Sequence, residues 1–321
     1  MKILVLGGTK FVGRAFVEAA LAERHEVTLV HRGQTGADLF PQCEHVLLDR
    51  NEGYGQLAGR RFDGVVDVSA YVPRVAGQAA RELQADKYLF ISTISVYDSP
   101  DGPGRDEDAP LLPAVDDTEE ITGETYGGLK VACERKVRAA RPDAEIVRPG
   151  IVAGAHDPTN RLPYWVRRFS QGGQVVLPMR GDQPIQLVDA RDLADFMLMR
   201  LVVGEGGTFN AAGADETMSN LFSLLSTRFP DAQGVPVPDL ESKGVKFGAD
   251  LPLVLGESGE DDTRFQVSSE RGKAAGFRQR PLAETIAETA EWLARENPTA
   301  SGAKYGTLTT DREREIVAGI R

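Results

Sequence analysis

Lys2-Ile-Leu-Val-Leu-Gly-Gly-Thr-Lys-Phe-Val-Gly13 opens the chain with an apolar run of strand character, which breaks into a glycine-rich turn and then into a segment of helical composition. With a strand before it and a helix after it, such a turn is read as a dinucleotide-binding loop. Gly7 permits the tight turn, and Gly13 lets helix and sheet approach closely. The helix start offers free backbone amides and a partial positive charge that suit a pyrophosphate. Gly7, Thr9, Lys10, Phe11, Val12 and Gly13 are therefore candidate cofactor residues. Lys10 stands where the usual pattern has another glycine, so its ammonium either points to solvent or adds a direct contact.

Working outward, short apolar strand candidates lie at 2–6, 26–30, 45–48, 65–68, 88–91 and 144–147, with helical segments such as 12–23 and 75–84 between them. That alternation makes βαβ units. Strands covered on both faces by right-handed crossover helices form a parallel sheet, so the fold class is α/β, a doubly wound parallel sheet. Residues 98–125 are acidic and loop-like, with Pro100, Pro103, Pro110 and Pro113, and have the composition of a surface excursion or lid. Beyond Pro149 the pattern loosens. The expected division is a sheet domain from 1–154 and 183–211, a smaller mixed lobe from 155–182 and 212–300, and a C-terminal tail at 301–321.

The chain has 321 residues, 41% hydrophobic and 26% charged, enough for one large core or two lobes. With 37 basic against 48 acidic residues its formal net charge is -11, which disfavours nucleic acid and anionic membranes as partners. No signal-like segment and no 18-residue apolar stretch occurs, so a cytoplasmic location and no membrane are expected. Cys43 and Cys133 lack Cys or His neighbours at metal-ligand spacing and read as free buried thiols. No metal site is expected.

Tyr126-Gly-Gly-Leu-Lys130 places a phenol and an ammonium one helical turn apart, a pairing suited to proton transfer at a carbinol oxygen. An ordinary tyrosine titrates near ~10, so it needs a neighbouring cation to serve as a base near neutrality, and Lys130 is the candidate. The two glycines between them read as room for an approaching ligand. At the end of the second strand, where an NAD enzyme carries an acid for the ribose, the chain has His31-Arg32-Gly33. Arg32 suits a 2′-phosphate, so NADP is expected, with NAD as the alternative. Asp49 and Arg50, after the third strand, are placed either to meet the adenine edge or to form a loop salt bridge.

Four segments carry a resemblance: Gly7-Gly-Thr-Lys-Phe-Val-Gly13, Ile91-Ser-Thr-Ile-Ser-Val-Tyr-Asp98, Tyr126-Gly-Gly-Leu-Lys130 and Arg148-Pro-Gly-Ile-Val-Ala-Gly154. Over about residues 1–210 the chain resembles the extended short-chain dehydrogenase/reductases, which include NAD-dependent epimerases and dehydratases of nucleotide sugars. A weaker similarity runs to the atypical branch containing chloroplast stem-loop-binding proteins. The resemblance implies a Rossmann domain and a catalytic set of Thr93, Tyr126 and Lys130, with Ser92 and Ser95 as alternative hydroxyls. Lys130 would also hold the nicotinamide ribose. Ser69, Ala70 and Tyr71, and Pro149 to Val152, would wall the cofactor.

The implied function is an NAD(P)-dependent oxidoreductase or epimerase acting on a hydroxyl or carbonyl centre, with a sugar or sugar nucleotide as a candidate substrate. Ile94 and Ser95 after Thr93 disfavour a dehydratase. Gly150 replaces the asparagine, and Ile185 the arginine, with which family members grip a nucleotide diphosphate. Arg161, Arg167 and Arg168 either substitute or form a solvated basic face. Tyr164, Trp165 and Tyr71 either line a substrate pocket or pack between lobes, and His31 and His156 read as surface or capping residues. A homodimer through the helix of Tyr126 and its neighbour is also implied. The alternative function is an RNA-binding or ligand-sensing protein on a retained dehydrogenase scaffold.

Overall fold

A computed structural model describes residues 1–98, 104–260, 262–263, 266–298 and 304–319. Pro100 and Pro103 of the acidic excursion lie outside them. The sheet domain is built from β1 (Lys2–Leu6), α1 (Phe11–Ala22), β2 (Glu26–His31), β3 (Glu44–Leu47), β4 (Arg61–Asp67), α2 (Pro73–Glu82), β5 (Gln84–Ile91), α3 (Tyr126–Ala140) and β6 (Glu145–Pro149). There follow β7 (Ile151–Ala153), α4 (Arg161–Ser170), β8 (Gly173–Pro178), β9 (Pro184–Ile185), β10 (Leu187–Asp189), α5 (Ala190–Val203) and β11 (Gly207–Ala211). The chain ends with β12 (Glu216–Thr217), α6 (Met218–Arg228), β13 (Ala232–Val237), α7 (Glu270–Ala274), α8 (Leu282–Glu296) and α9 (Thr310–Ala318).

Seven parallel strands form the main sheet in the order β3-β2-β1-β4-β5-β6-β11. Period-two alternation within β1 explains its unbroken apolar run. Ile3 and Val5 pack toward Phe16 and Val17 of α1 and Leu193 and Met197 of α5, whereas Leu4 and Leu6 pack toward Ala76 and Ala79 of α2 and Cys133 and Val137 of α3. Strand order reverses between β1 and β4, and the crevice at their carboxyl ends is where open α/β sheets take ligands.

The second lobe has its own core, formed by Trp165 and Phe169 of α4, Leu221 and Phe222 of α6, Val175 and Val176 of β8, and Ile286 of α8. Of the short helix or loose tail open for the last twenty residues, the structure has the helix: α9, with Ile316 and Val317 buried in this core and Glu313 paired with Arg168. Its run of charges hid a buried face of Glu313, Ile316 and Val317, spaced i, i+3, i+4. Part of the 212–300 segment also returns to the sheet domain, where α7 packs on β11 and Phe277 joins the cluster around α5. The acidic excursion is not free: Leu112 N donates to Val96 O at 2.8 Å, and the Glu107 carboxylate is buried and accepts from Asn210 N at 2.6 Å.

Candidate active site

The glycine turn leaves no space for side chains. Gly7 has φ +95°, and a Cβ on Gly13 would stand 2.1 Å from the Gly7 carbonyl oxygen. Helix α1 starts without a side-chain cap and without an acid in its first turn, so its amides are open to an anion. Thr9 is buried, Phe11 and Val12 are half-buried against the sheet core, and Lys10 is exposed. These features fit a dinucleotide, whose pyrophosphate needs bare backbone at this point. Arg32 is exposed beyond β2. The Asp49 carboxylate accepts from Asn51 N at 2.9 Å, which holds its pKa below the ordinary value.

Arg50 points inward, and of the two readings open for it the structure takes the salt bridge. Its guanidinium meets both oxygens of Asp67, at 2.8 and 2.6 Å, and donates to Ser69 Oγ at 2.7 Å and to Tyr54 OH at 2.8 Å. Its Nε, Nη1 and Nη2 are all engaged in these bonds.

Thr93 leaves β5 and caps the single turn Ile94–Val96, its Oγ1 accepting from Ser95 N at 3.1 Å. Tyr126 starts α3. Burial, reinforced by Tyr71, pushes its phenol up to about 12, while the nearby Thr93 hydroxyl and the charge of Arg161 pull it the other way. Its ring lies 6.4 Å from that of Tyr71. Lys130 is buried; its Nζ donates to Ala70 O at 2.9 Å and Ile91 O at 2.6 Å, and sits 4.4 Å from the Phe90 ring centre. Burial lowers its pKa, partly offset by Cys133 and Asp67. The ammonium is thus held by two main-chain carbonyls.

The glycines between Tyr126 and Lys130 do not make room for a ligand. A Cβ on Gly127 would lie 2.3 Å from Ser95 O, and one on Gly128 would lie 2.8 Å from Pro113 O. The chain's own backbone fills that space. Ser92 Oγ is buried without a protein partner, Pro149 is buried, and Val152 packs in the cluster on the α1 side of the sheet.

Residues 3–212 match the model of the NAD dependent epimerase/dehydratase family. The chain belongs to this family. It is 25% identical over 257 residues to the chloroplast stem-loop binding protein of 41 kDa b of Arabidopsis thaliana, covering 73% of this chain and 61% of that protein. It is 32% identical over 208 residues to 2'-dehydrokanamycin reductase of Streptomyces kanamyceticus, covering 60% and 55%. The chain therefore spans about three-fifths or less of these curated relatives. Among solved structures, the Bordetella bronchiseptica enzyme WbmG in complex with NAD and UDP superposes with a TM-score of 0.70 at 18% identity, covering 92% of this chain and 95% of that one. The matched residues span the seven-stranded sheet described above, which is the family's Rossmann sheet.

The three arginines of α4 differ in their surroundings. Arg168 is buried against Glu313, so it is no part of a solvated face, and Arg167 donates to Asn160 Oδ1 at 3.0 Å. Arg161 is half-buried, its Nε donating to Thr159 Oγ1 at 2.9 Å, and is electrostatically coupled to Tyr126. Ile185 is buried, and a Cβ on Gly150 would stand 3.1 Å from Ala212. Trp165 donates to Pro252 O at 2.7 Å within the second core, and Tyr164 is buried beside it, so both are packing residues. Tyr71 is exposed.

His31 bonds His45 at 2.8 Å, His156 accepts from Arg14 at 3.2 Å, and no metal-binding cluster occurs among the described residues. No helix there is long and apolar enough to cross a membrane. A cleft of about 550 Å³ lined by Arg14, His156, Arg191, Glu288 and Trp292 opens on the outer side of α1. Neither Tyr126 nor Lys130 lines it.

Sequence reasoning passed over two buried charges. Asp67, ending the apolar β4, accepts from Ser69 N and Ala70 N as well as from Arg50. Arg148 in β6 meets Glu134 of α3 at 2.9 and 2.7 Å and Tyr97 OH at 3.0 Å. The available signal was a charged residue inside an otherwise apolar strand run, which needs a partner when buried.

Proposed function

We propose that this protein is an NAD(P)-dependent reductase or epimerase that uses Thr93, Tyr126 and Lys130 on a hydroxyl or carbonyl centre, with carbonyl reduction as the favoured direction. One arrangement supports this: Thr93 at the end of β5 lies close to the Tyr126 phenol at the start of α3, with Lys130 one turn further along that helix, and burial pushes the phenol up to about 12. Such a phenol keeps its proton throughout the neutral range, so it is set to donate to a developing alkoxide. Thr93 supplies a neutral hydroxyl beside it to polarise the same oxygen. Lys130 holds the ribose side of the cofactor, and Ser69, Ala70, Tyr71, Pro149 and Val152 form its walls. The bound nicotinamide supplies or accepts the hydride.

Similarity to a dehydrokanamycin reductase supports reduction of a ring carbonyl on a sugar-like molecule. A sugar nucleotide is the weaker candidate, because Gly150 and Ile185 stand where the family's diphosphate contacts would be. NADP preference rests on exposed Arg32 and the missing acid beside it. The deciding experiment offers NADPH and NADH with a panel of keto-sugars and sugar nucleotides. Reduction consumes cofactor stoichiometrically, whereas epimerisation gives product without net consumption.

A second reading, RNA binding on this scaffold, draws on the likeness to the stem-loop binding protein. The net charge of -11 opposes it, since RNA affinity depends on phosphate contacts. Filter binding at low salt separates the two. A homodimer through α2 and α3 remains part of the proposal, although the exposed side chains there include Arg74, Arg81, Arg135 and Lys136. Arg74 is paired with Glu119, and Glu82 is exposed on the same face of the sheet domain, so the charges there are mixed; sedimentation showing only monomer at micromolar concentration would remove the dimer.

A further inference from the structure

The turn that leaves β4 joins two parts of the site through hydrogen bonds that begin at one buried ion pair. Asp67, fully buried, is gripped by Arg50 Nη1 and Nη2 and turns its Oδ1 to the amides of Ser69, at 3.2 Å, and Ala70, at 3.1 Å. Arg50 also donates to Ser69 Oγ, and that hydroxyl passes its own proton to Leu6 O at 3.0 Å, directly before the glycine turn. Ser69 fits so closely there that a Cβ on Gly7 would stand 2.7 Å from the Ser69 Cβ. In the other direction, Ala70 presents its carbonyl to Lys130 Nζ. The glycine turn and the lysine ammonium therefore both hang on residues 67–70.

We propose that Asp67 and Arg50 are positioning residues: the pair fixes the Ser69-Ala70 turn so that the Ala70 carbonyl aims the Lys130 ammonium while Ser69 braces the Gly7 turn. The cofactor-facing role of Lys130 belongs to the function proposed above, and the consequence for cofactor rests on it. The placing of the ammonium does not. A buried ion pair gains little net stability over apolar residues of equal volume. What Asp67 adds that an apolar residue could not is direction, because one carboxylate orients two amides and a guanidinium at once.

Acetylation by acetic anhydride, followed by mass spectrometry at Lys130 and normalised to exposed Lys136, reads the placement directly. In the wild type Lys130 is protected by burial and two carbonyl acceptors. In Asp67→Asn and Ser69→Ala its labelling rate should rise about tenfold or more, the scale of one lost hydrogen bond to a charged group. NADH affinity should fall by a similar factor. Arg200→Lys is the control, since it weakens another buried pair, Arg200 with Glu145 at 2.8 Å, at the opposite end of the strands. If Asp67→Asn fails to fold, Ser69→Ala and Arg50→Lys carry the test.

Lys130 labelling that stays at the wild-type rate in the folded variants overturns the proposal, and so does an equal rise in the Arg200→Lys control. Labelling that rises while NADH affinity holds leaves the positioning intact and removes the cofactor role of Lys130.

Discussion

Gly13 lies so close to Gly7 that a Cβ on it would overlap the Gly7 carbonyl oxygen, at 2.1 Å. The contact is with backbone, so no rotamer relieves it. Gly13→Ala is expected to cost at least about 3 kcal/mol, the upper range for overpacking, and to displace the start of α1. Urea unfolding gives the cost, and loss of NADH binding in any folded fraction gives the displacement.

Tyr126→Phe removes the proton donor while keeping the ring against Tyr71. Turnover should fall about 10²- to 10⁴-fold with little change in melting temperature. Wild-type turnover in this variant, with a substrate established for the wild type, would end the proposed mechanism.

Alkaline pH should unfold the protein early. Tyr54 and Tyr126 are pushed from 10.0 up to about 12, and Cys133 from 9.0 up to about 12, all chiefly by burial. A raised folded-state pKa contributes stability that is complete below the unfolded value and is lost as pH climbs toward the folded one. Stability should thus be level below about pH 9 and decline between 9 and 12, at about 1.4 kcal/mol per unit for each group at most. Melting temperature followed against pH reads the decline, and Tyr126→Phe should flatten its upper part.

Arg32→Ala tests the coenzyme preference. Arg32 is exposed at the end of β2, within electrostatic reach of the Asp49 carboxylate, and its loss should weaken NADPH binding about 10- to 100-fold while leaving NADH within about twofold. Equal affinity of the wild type for both coenzymes would remove the NADP expectation.

Glu313→Ala should destabilise by about 3–5 kcal/mol, because it strands the buried Arg168 guanidinium and frees Val176 N. Denaturant unfolding of this variant beside Ile316→Ala, expected to cost about 2–5 kcal/mol, measures how firmly α9 belongs to the second core. No change in either would return the segment to the status of a tail.

Much of the sheet domain was legible in residue order. Strand and helix periodicities are local, so the βαβ alternation emerged with boundaries shifted by only a few residues, except for β4 and β5, whose early turns lack apolar alternation. The Gly7 turn was legible because steric exclusion of a Cβ acts between residues six apart. The face shared by Tyr126 and Lys130 follows from helix geometry alone.

Other features depended on contacts between segments far apart in the chain. Gly127 and Gly128 are small because Ser95 and Pro113 backbone press on them, not because a ligand enters. Arg50 turns inward because Asp67 waits at the end of another strand, and Lys130 donates to one carbonyl in the turn after β4 and one at the end of β5. Alternation and turn chemistry, acting within a few residues, were enough to specify the α/β sheet and its cofactor turn. Which charge meets which, and therefore how the Tyr126 phenol and Lys130 ammonium are poised, was decided only when distant residues were buried together, because a desolvated charge takes its partner from space and not from sequence.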